Sequence, residues 1–151
     1  MGDHNKVVVR YRNGEVLKGT TQDFFPNRPV FHLLPLAGGQ ALEVRTSELK
    51  AVFFVKDFNG HPERQDVPGF LAAPGTMNQG RKIAIRFQDA EVICGYSVTF
   101  TPSRDGFFVF PADAEGNNLR IYVLTAATSD IKVGPAAESL VRTLLKGPYA
   151  A

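Results

Sequence analysis

The stretch that decides the fold is residues 6–36, "KVVVRYRNGEVLKGTTQDFFPNRPVFHLLPL". Laid without gaps over residues 82–112, "KIAIRFQDAEVICGYSVTFTPSRDGFFVFPA", it matches at ten of 31 positions. The shared residues are Lys6/Lys82, Arg10/Arg86, Glu15/Glu91, Val16/Val92, Gly19/Gly95, Phe24/Phe100, Pro26/Pro102, Arg28/Arg104, Phe31/Phe107 and Pro35/Pro111. Self-similarity at a fixed offset, here 76 residues, is the signature of a repeated structural unit. After residue 36 the register slips, and "ALEVRTSELKAVFFV" corresponds only loosely to "NLRIYVLTAATSDIKV".

Each copy reads as β-structure. Val7, Val9 and Tyr11 alternate with Val8, Arg10 and Arg12, and Ile83, Ile85 and Phe87 alternate with Ala84, Arg86 and Gln88. A period of two marks a half-buried strand. Asn13-Gly14 predicts a tight hairpin, with Asp89-Ala90 its weakened counterpart. Second strands are expected over 15–24 and 91–100, third strands over 30–34 and 106–110. Fourth strands follow at 41–45 and 119–124, and fifth strands at 49–56 and 129–133. Gly19 and Gly95 lie inside the second strands, where glycine marks a bulge or a sharp bend. Five short strands with a bent second strand describe a small barrel. The fold expected is therefore mainly β, two tandem five-stranded barrels of the Sm/SH3-like kind followed by a helix.

The organisation follows from the same reading. Residues 1–56 form the first repeat, 57–80 a linker rich in Gly, Pro and polar residues, and 81–134 the second repeat. Phe70 and Leu71 are the apolar residues expected to pin the linker. Over 135–151 the period changes: Ala137, Leu140, Val141, Leu144 and Leu145 make the stripe of an amphipathic helix. Pro135 suits its first turn and Gly147-Pro148 its stop. "VFFVKDF" and "FFVF" offer apolar residues to both faces of a sheet, so the second face needs cover from the other copy or from this helix.

Composition excludes several functions. The chain has 151 residues, 44% hydrophobic and 21% charged, with a net charge of +2. That charge is too small to argue for a nucleic-acid partner by itself. One cysteine, Cys94, allows no intrachain disulfide and no multi-cysteine metal site. No run reaches the roughly 18 apolar residues of a membrane helix. "MGDHNK" has no apolar signal segment, and a cytoplasmic location without membrane contact is expected. His4, His32 and His61 have no partner at metal-ligand spacing, and "DFNGHPE" lacks the twelve-residue calcium-loop pattern. There is no nucleophile elbow, no glycine-rich phosphate loop and no repeated carboxylate pair. No catalytic residue, metal or cofactor is expected.

The first copy resembles the Sm-like fold of Sm, LSm and Hfq proteins. "VVVRYRNGEVLKGTTQDF" looks like the first Sm motif, and "LEVRTSELKAVFFV" looks like the second, with Arg45 at its basic turn. The resemblance covers residues 6–56 and, more weakly, 82–133. It implies a barrel whose loop after strand two presents ligand contacts, and Pro26 and Pro29 stand there in this sequence. The whole tandem also resembles a bacterial domain of unknown function found in signalling-rich bacteria. The arginine and "D-x-S-x-x-G" signature of PilZ domains is missing.

The candidate ligand residues are Arg28 and Arg104, repeated in the loop after the second strand, then Arg10, Arg86 and Arg45. A planar guanidinium suits paired anionic oxygens. The bland alternative for the loop arginines is capping of loop carbonyls or pairing with an acid such as Asp105. For Arg10 and Arg86 it is a solvated strand face or an ion pair with Glu15 or Glu91. Phe24, Phe25, Phe31, Phe53, Phe54, Phe107, Phe108 and Phe110 are either core or a base-stacking platform. The function expected is a non-catalytic binding or adaptor module of a bacterial regulatory system. It engages a protein partner by strand addition or through Leu140, Val141, Leu144 and Leu145. The alternative is RNA or a cyclic nucleotide held by the repeated arginine loops.

Overall fold

The first hairpin shows how the alternation becomes structure. In the computed structural model, which describes residues 5–58, 80–98, 100–112 and 117–144, β1 (Asn5–Tyr11) pairs antiparallel with β2 (Val16–Thr21). The turn between them holds Gly14 at φ +95°, and Asn13 Oδ1 accepts the Glu15 N–H at 2.9 Å. In the second half β6 (Arg81–Phe87) pairs with β7 (Val92–Ser97) around Ala90, a non-glycine residue held at φ +77°. There Asp89 Oδ1 accepts the Glu91 N–H at 3.0 Å. A left-handed backbone suits glycine and strains alanine.

The glycines inside the second strands serve close approach. A Cβ on Gly19 would collide with the carbonyl oxygen of Leu34, and one on Gly95 with that of Phe110. So β2 can cross β3 (Val30–Pro35), and β7 can cross β8 (Gly106–Pro111), only where no side chain intervenes. β4 (Leu42–Arg45) then leads through a 3₁₀ turn, Thr46–Glu48, into β5 (Leu49–Val55). β9 (Asn118–Leu124) leads through the turn Thr125–Ala127 into β10 (Thr128–Val133).

The two separate barrels expected from the sequence do not form. All ten strands make one antiparallel sheet, in the order β10-β6-β7-β8-β9-β5-β1-β2-β3-β4. The reason lies in β5. Every residue of that strand is buried. One edge of β5 pairs with β1 and the other with β9, from Ala51↔Val123 to Val55↔Asn118. That edge is therefore occupied by the other half rather than by β4 of its own.

The pairings of the two halves correspond. Val7↔Gly19 in the first hairpin stands against Ile83↔Gly95 in the second, at the offset of 76. Phe31↔Val44 stands against Phe107↔Val123, and Val7↔Phe54 against Ile83↔Val133. The last two strands of each half thus correspond at an offset of 79, and three extra residues lie between β8 and β9. This is the register slip seen in the sequence.

The sheet buries opposite faces in its two halves. Val7, Val9, Phe31, Leu33 and Val44 form one cluster, and Ile83, Ile85, Phe87, Phe107 and Val109 form the other. β5 serves both: Val52 and Phe54 face the first cluster, Ala51, Phe53 and Val55 the second. β9 alternates likewise, with Tyr122 and Leu124 against Ile121 and Val123. Strands buried on both faces read as continuous apolar runs.

The helix α1 (Pro135–Leu144) follows Gly134, at φ +64°, and packs on β6 and β10. Ala137 and Val141 are buried against Ala84, with Leu140 and Cys94 packed beside them. Lys82 and Glu138 form an ion pair at 3.3 Å. No helix among the described residues is long and apolar enough to cross a membrane. The expected linker, with Phe70 and Leu71, lies mostly outside the described residues, as do Leu145 and the Leu144 side chain.

Candidate functional site

The loops after β2 and β7 fold alike. The Arg28 N–H donates to the Phe25 carbonyl at 3.0 Å, and the Arg104 N–H to the Thr101 carbonyl at 3.1 Å. Each loop is then pinned by a threonine that opens a 3₁₀ turn. Thr46 donates its N–H to the Pro29 carbonyl at 2.9 Å and its hydroxyl to the same oxygen at 3.2 Å. Thr125 donates its N–H to the Asp105 carbonyl at 2.9 Å and its hydroxyl to the Arg104 carbonyl at 2.9 Å. The carbonyls are thus satisfied by threonines, not by the arginine side chains. Pro26, Pro29 and Pro102 restrict the loops further.

The β5–β9 joint brings both loops to one cleft of about 830 Å³. Arg28, Arg104 and Arg12 line it, with Asp105 the one acidic residue among the described residues of the lining. No carboxylate of the described residues comes within the 4.0 Å ion-pair distance of Arg28 or Arg104. Asp105 therefore does not form an ion pair with its neighbour. Arg28 instead lies over the Phe25 ring, its Cζ 4.8 Å from the centroid. Arg12 donates weakly to the Ser47 carbonyl at 3.4 Å. Guanidiniums with unspent donors around an open cleft are groups whose geometry suits paired anionic oxygens.

Tyr122 and Leu124 complete the lining from β9. Burial pushes the Tyr122 phenol above its ordinary value, Asp105 adds to this, and Arg104 opposes it. A Cβ on Gly106 would collide with the Tyr122 ring and hydroxyl, so glycine lets that ring lie against β8. The exchange of Val30 for Gly106 between the halves thus has a physical cause.

The other sequence candidates lie elsewhere. Arg10 sits over Phe53 at 5.5 Å, Arg86 is exposed on β6, and Arg45 reaches Glu43 at 3.8 Å on the edge strand. None of the three lines the cleft. Glu91, expected beside Arg86, instead accepts from Lys50, as does Asp89 at 2.7 Å. Of the eight phenylalanines considered, Phe31, Phe53, Phe54 and Phe107 are buried, and Phe24 packs edge-on to Phe31, Phe54, Phe108 and Tyr122. Phe25 alone of the eight is a large exposed hydrophobic, at 46%. Arg120 fills the space above Phe54 and Phe108, at 4.5 and 4.9 Å.

Among the described residues no cluster of His, Cys, Asp and Glu is arranged to hold a metal. His32 is held by Asp23, through its backbone N–H at 2.8 Å and its ring at 2.7 Å. Burial pushes the Asp23 carboxyl up, but those bonds and one from Thr21 outweigh it and lower the value. Burial pushes the Cys94 thiol up to about 12, which leaves it protonated and unreactive near neutrality. Sequence reasoning missed Arg12, because Gln88 stands at its place in the second half, and missed Tyr122, because its strand lies beyond the register slip.

Residues 3–134 match the model of the DUF6982 family, a family of unknown function, and the chain belongs to it. The resemblance to Sm-like proteins is not carried by that match. No match to this chain was found among curated proteins or among solved structures.

Proposed function

We propose that this DUF6982 member is a non-catalytic binding module that holds a phosphate-bearing ligand in the cleft between its two arginine loops. The observation that supports the reading is the meeting of Arg28 and Arg104, at equivalent positions of the two halves, on one cleft without ion-pair partners among the described residues. Three guanidiniums against one carboxylate give the cleft a positive balance. Burial pushes the Tyr122 phenol further from ionisation. These groups suit binding better than proton transfer. The docking of a protein partner through the helix has less support, because Val141 and Ala137 are spent on the sheet.

The test is binding of short RNA, single-stranded DNA, cyclic dinucleotides and linear polyphosphate at low salt. Wild-type protein binds one or more of these, with affinity falling as salt rises. Arg28→Ala and Arg104→Ala each weaken binding roughly tenfold to a hundredfold, as expected for one charge-assisted contact. Melting temperatures stay near wild type, since neither side chain bridges to another charge among the described residues. Wild-type protein that binds none of the ligands, or arginine variants that only lose stability, overturns the reading.

A further inference from the structure

We infer that Phe25 is a stacking platform for a base, so that the ligand of the cleft is a nucleotide whose phosphate lies at Arg28. The inference rests on the cleft reading and narrows it to one ligand chemistry. Phe25 keeps 46% of its surface exposed, in a chain that buries or half-buries the other phenylalanines of the repeat. No other ring of the described residues packs on it. Phe25 does not itself line the cleft, but the next residue, Pro26, does, and the Arg28 N–H bonds to the Phe25 carbonyl at 3.0 Å in the same turn. Arg28 covers the ring at 4.8 Å and also lines the cleft. An aromatic face and an unpaired guanidinium are thus adjacent, as a base and its phosphate are in a nucleotide. Base–aromatic stacking with a cation beside it is how single strands are held without sequence readout.

The second loop has Thr101 where the first has Phe25. It offers the guanidinium of Arg104 without a ring. The ligand is therefore held unequally, by base and phosphate at the first loop and by phosphate alone at the second. A base-free polyanion gains nothing from Phe25, which separates this inference from the cleft reading.

The chain contains no tryptophan, so Phe25→Trp supplies the sole indole. Its emission is followed on titration with a five-nucleotide RNA, a cyclic dinucleotide and a linear polyphosphate. Quenching by the nucleotide ligands and not by polyphosphate is expected, and whichever nucleotide ligand quenches at the lower concentration identifies the source. In parallel, Phe25→Leu weakens nucleotide binding about tenfold, within the range for loss of one stacked base, and leaves polyphosphate binding within about twofold. Equal weakening of both ligand types makes Phe25 a mere support for Arg28 and overturns the inference, leaving the cleft reading intact. Nucleotide binding unchanged in Phe25→Leu overturns it likewise. Absence of binding by every probe to wild-type protein overturns both.

Discussion

β5 and β10 occupy corresponding places in the two halves, yet one is joined to a strand of the other half and the other ends the sheet among the described residues. β5 reads LKAVFFV and is buried throughout, while β10 reads TSDIKV and is at best half-buried. At the offset of 79, Asp130 stands for Ala51 and Lys132 for Phe53. The same contrast separates β9 from β4, where Glu43 stands for Tyr122 and Arg45 for Leu124. Each free edge carries a charge pair two residues apart: Asp130–Lys132 at 3.6 Å and Glu43–Arg45 at 3.8 Å. An exposed strand edge is a template for association, and charge is a common way of blunting it. The strand pairings of the two halves correspond. A few side chains decide which edges meet.

The joint is the place to break this contrast. Phe53→Ala removes a ring from β5 and from the cluster around Ile85, and costs about 3–5 kcal/mol in chemical denaturation. A loss under about 1 kcal/mol would show that β5 does not hold the halves together.

Lys50 tests the joint through its charge. Its side chain is 8% exposed, lies 4.7 Å from the Phe87 ring and donates to Asp89 and Glu91 on the second hairpin. Lys50→Met keeps the stem and removes the cross-half contacts, for a loss of about 1–2 kcal/mol, discounted because both carboxylates are half exposed. The hydrogen bond from Lys50 is the largest cause lowering the Asp89 carboxyl. A lowered folded value stabilises above the ordinary carboxylate range, near pH 4, and the benefit is lost as pH falls through the folded value. Lys50→Met should therefore flatten the fall in stability below about pH 4. An unchanged acid slope contradicts the assignment.

These two tests bear on what the sequence made legible. The alternation of Val7 and Val9, or Ile83 and Ile85, announced strands buried on one face, but Val8 and Ala84 between them are buried on the other face as well. The unbroken "VFFV" and "FFVF" announced strands covered on both. Neither pattern names the partner, because β5 and β9 meet across more than sixty residues of chain and no local signal records such a pairing. The repeated arginines were legible as a pair of loops. Their convergence was not, because it depends on the same joint. Arg12 and Tyr122 joined the cleft from outside the repeated positions, where self-comparison has nothing to compare.

Smaller effects sharpen the picture. Ala90→Gly relieves the positive φ that Gly14 occupies freely in the first hairpin, and should raise stability by about 0.5–1 kcal/mol. A loss would mean that the turn changes its geometry on substitution. The edges give the least change in stability. Asp130→Val with Lys132→Val should leave it within about 0.5 kcal/mol. Light scattering should nevertheless show mass rising with concentration, since the charges that blunt the edge are gone. A constant mass equal to wild type would mean that α1, not charge, protects that edge.

The sharing of β5 and β9 between two clusters has a consequence during synthesis. A nascent chain carries the outer edge of β5, with Phe53 and Val55, well before β9 exists to cover it. About sixty residues must first be translated, which takes several seconds at roughly 5–20 residues per second. In that interval the first half is an incomplete sheet with a sticky flank, the kind of surface that nascent-chain chaperones protect. Slowed translation between the halves should therefore lower soluble yield more than slowing after β10.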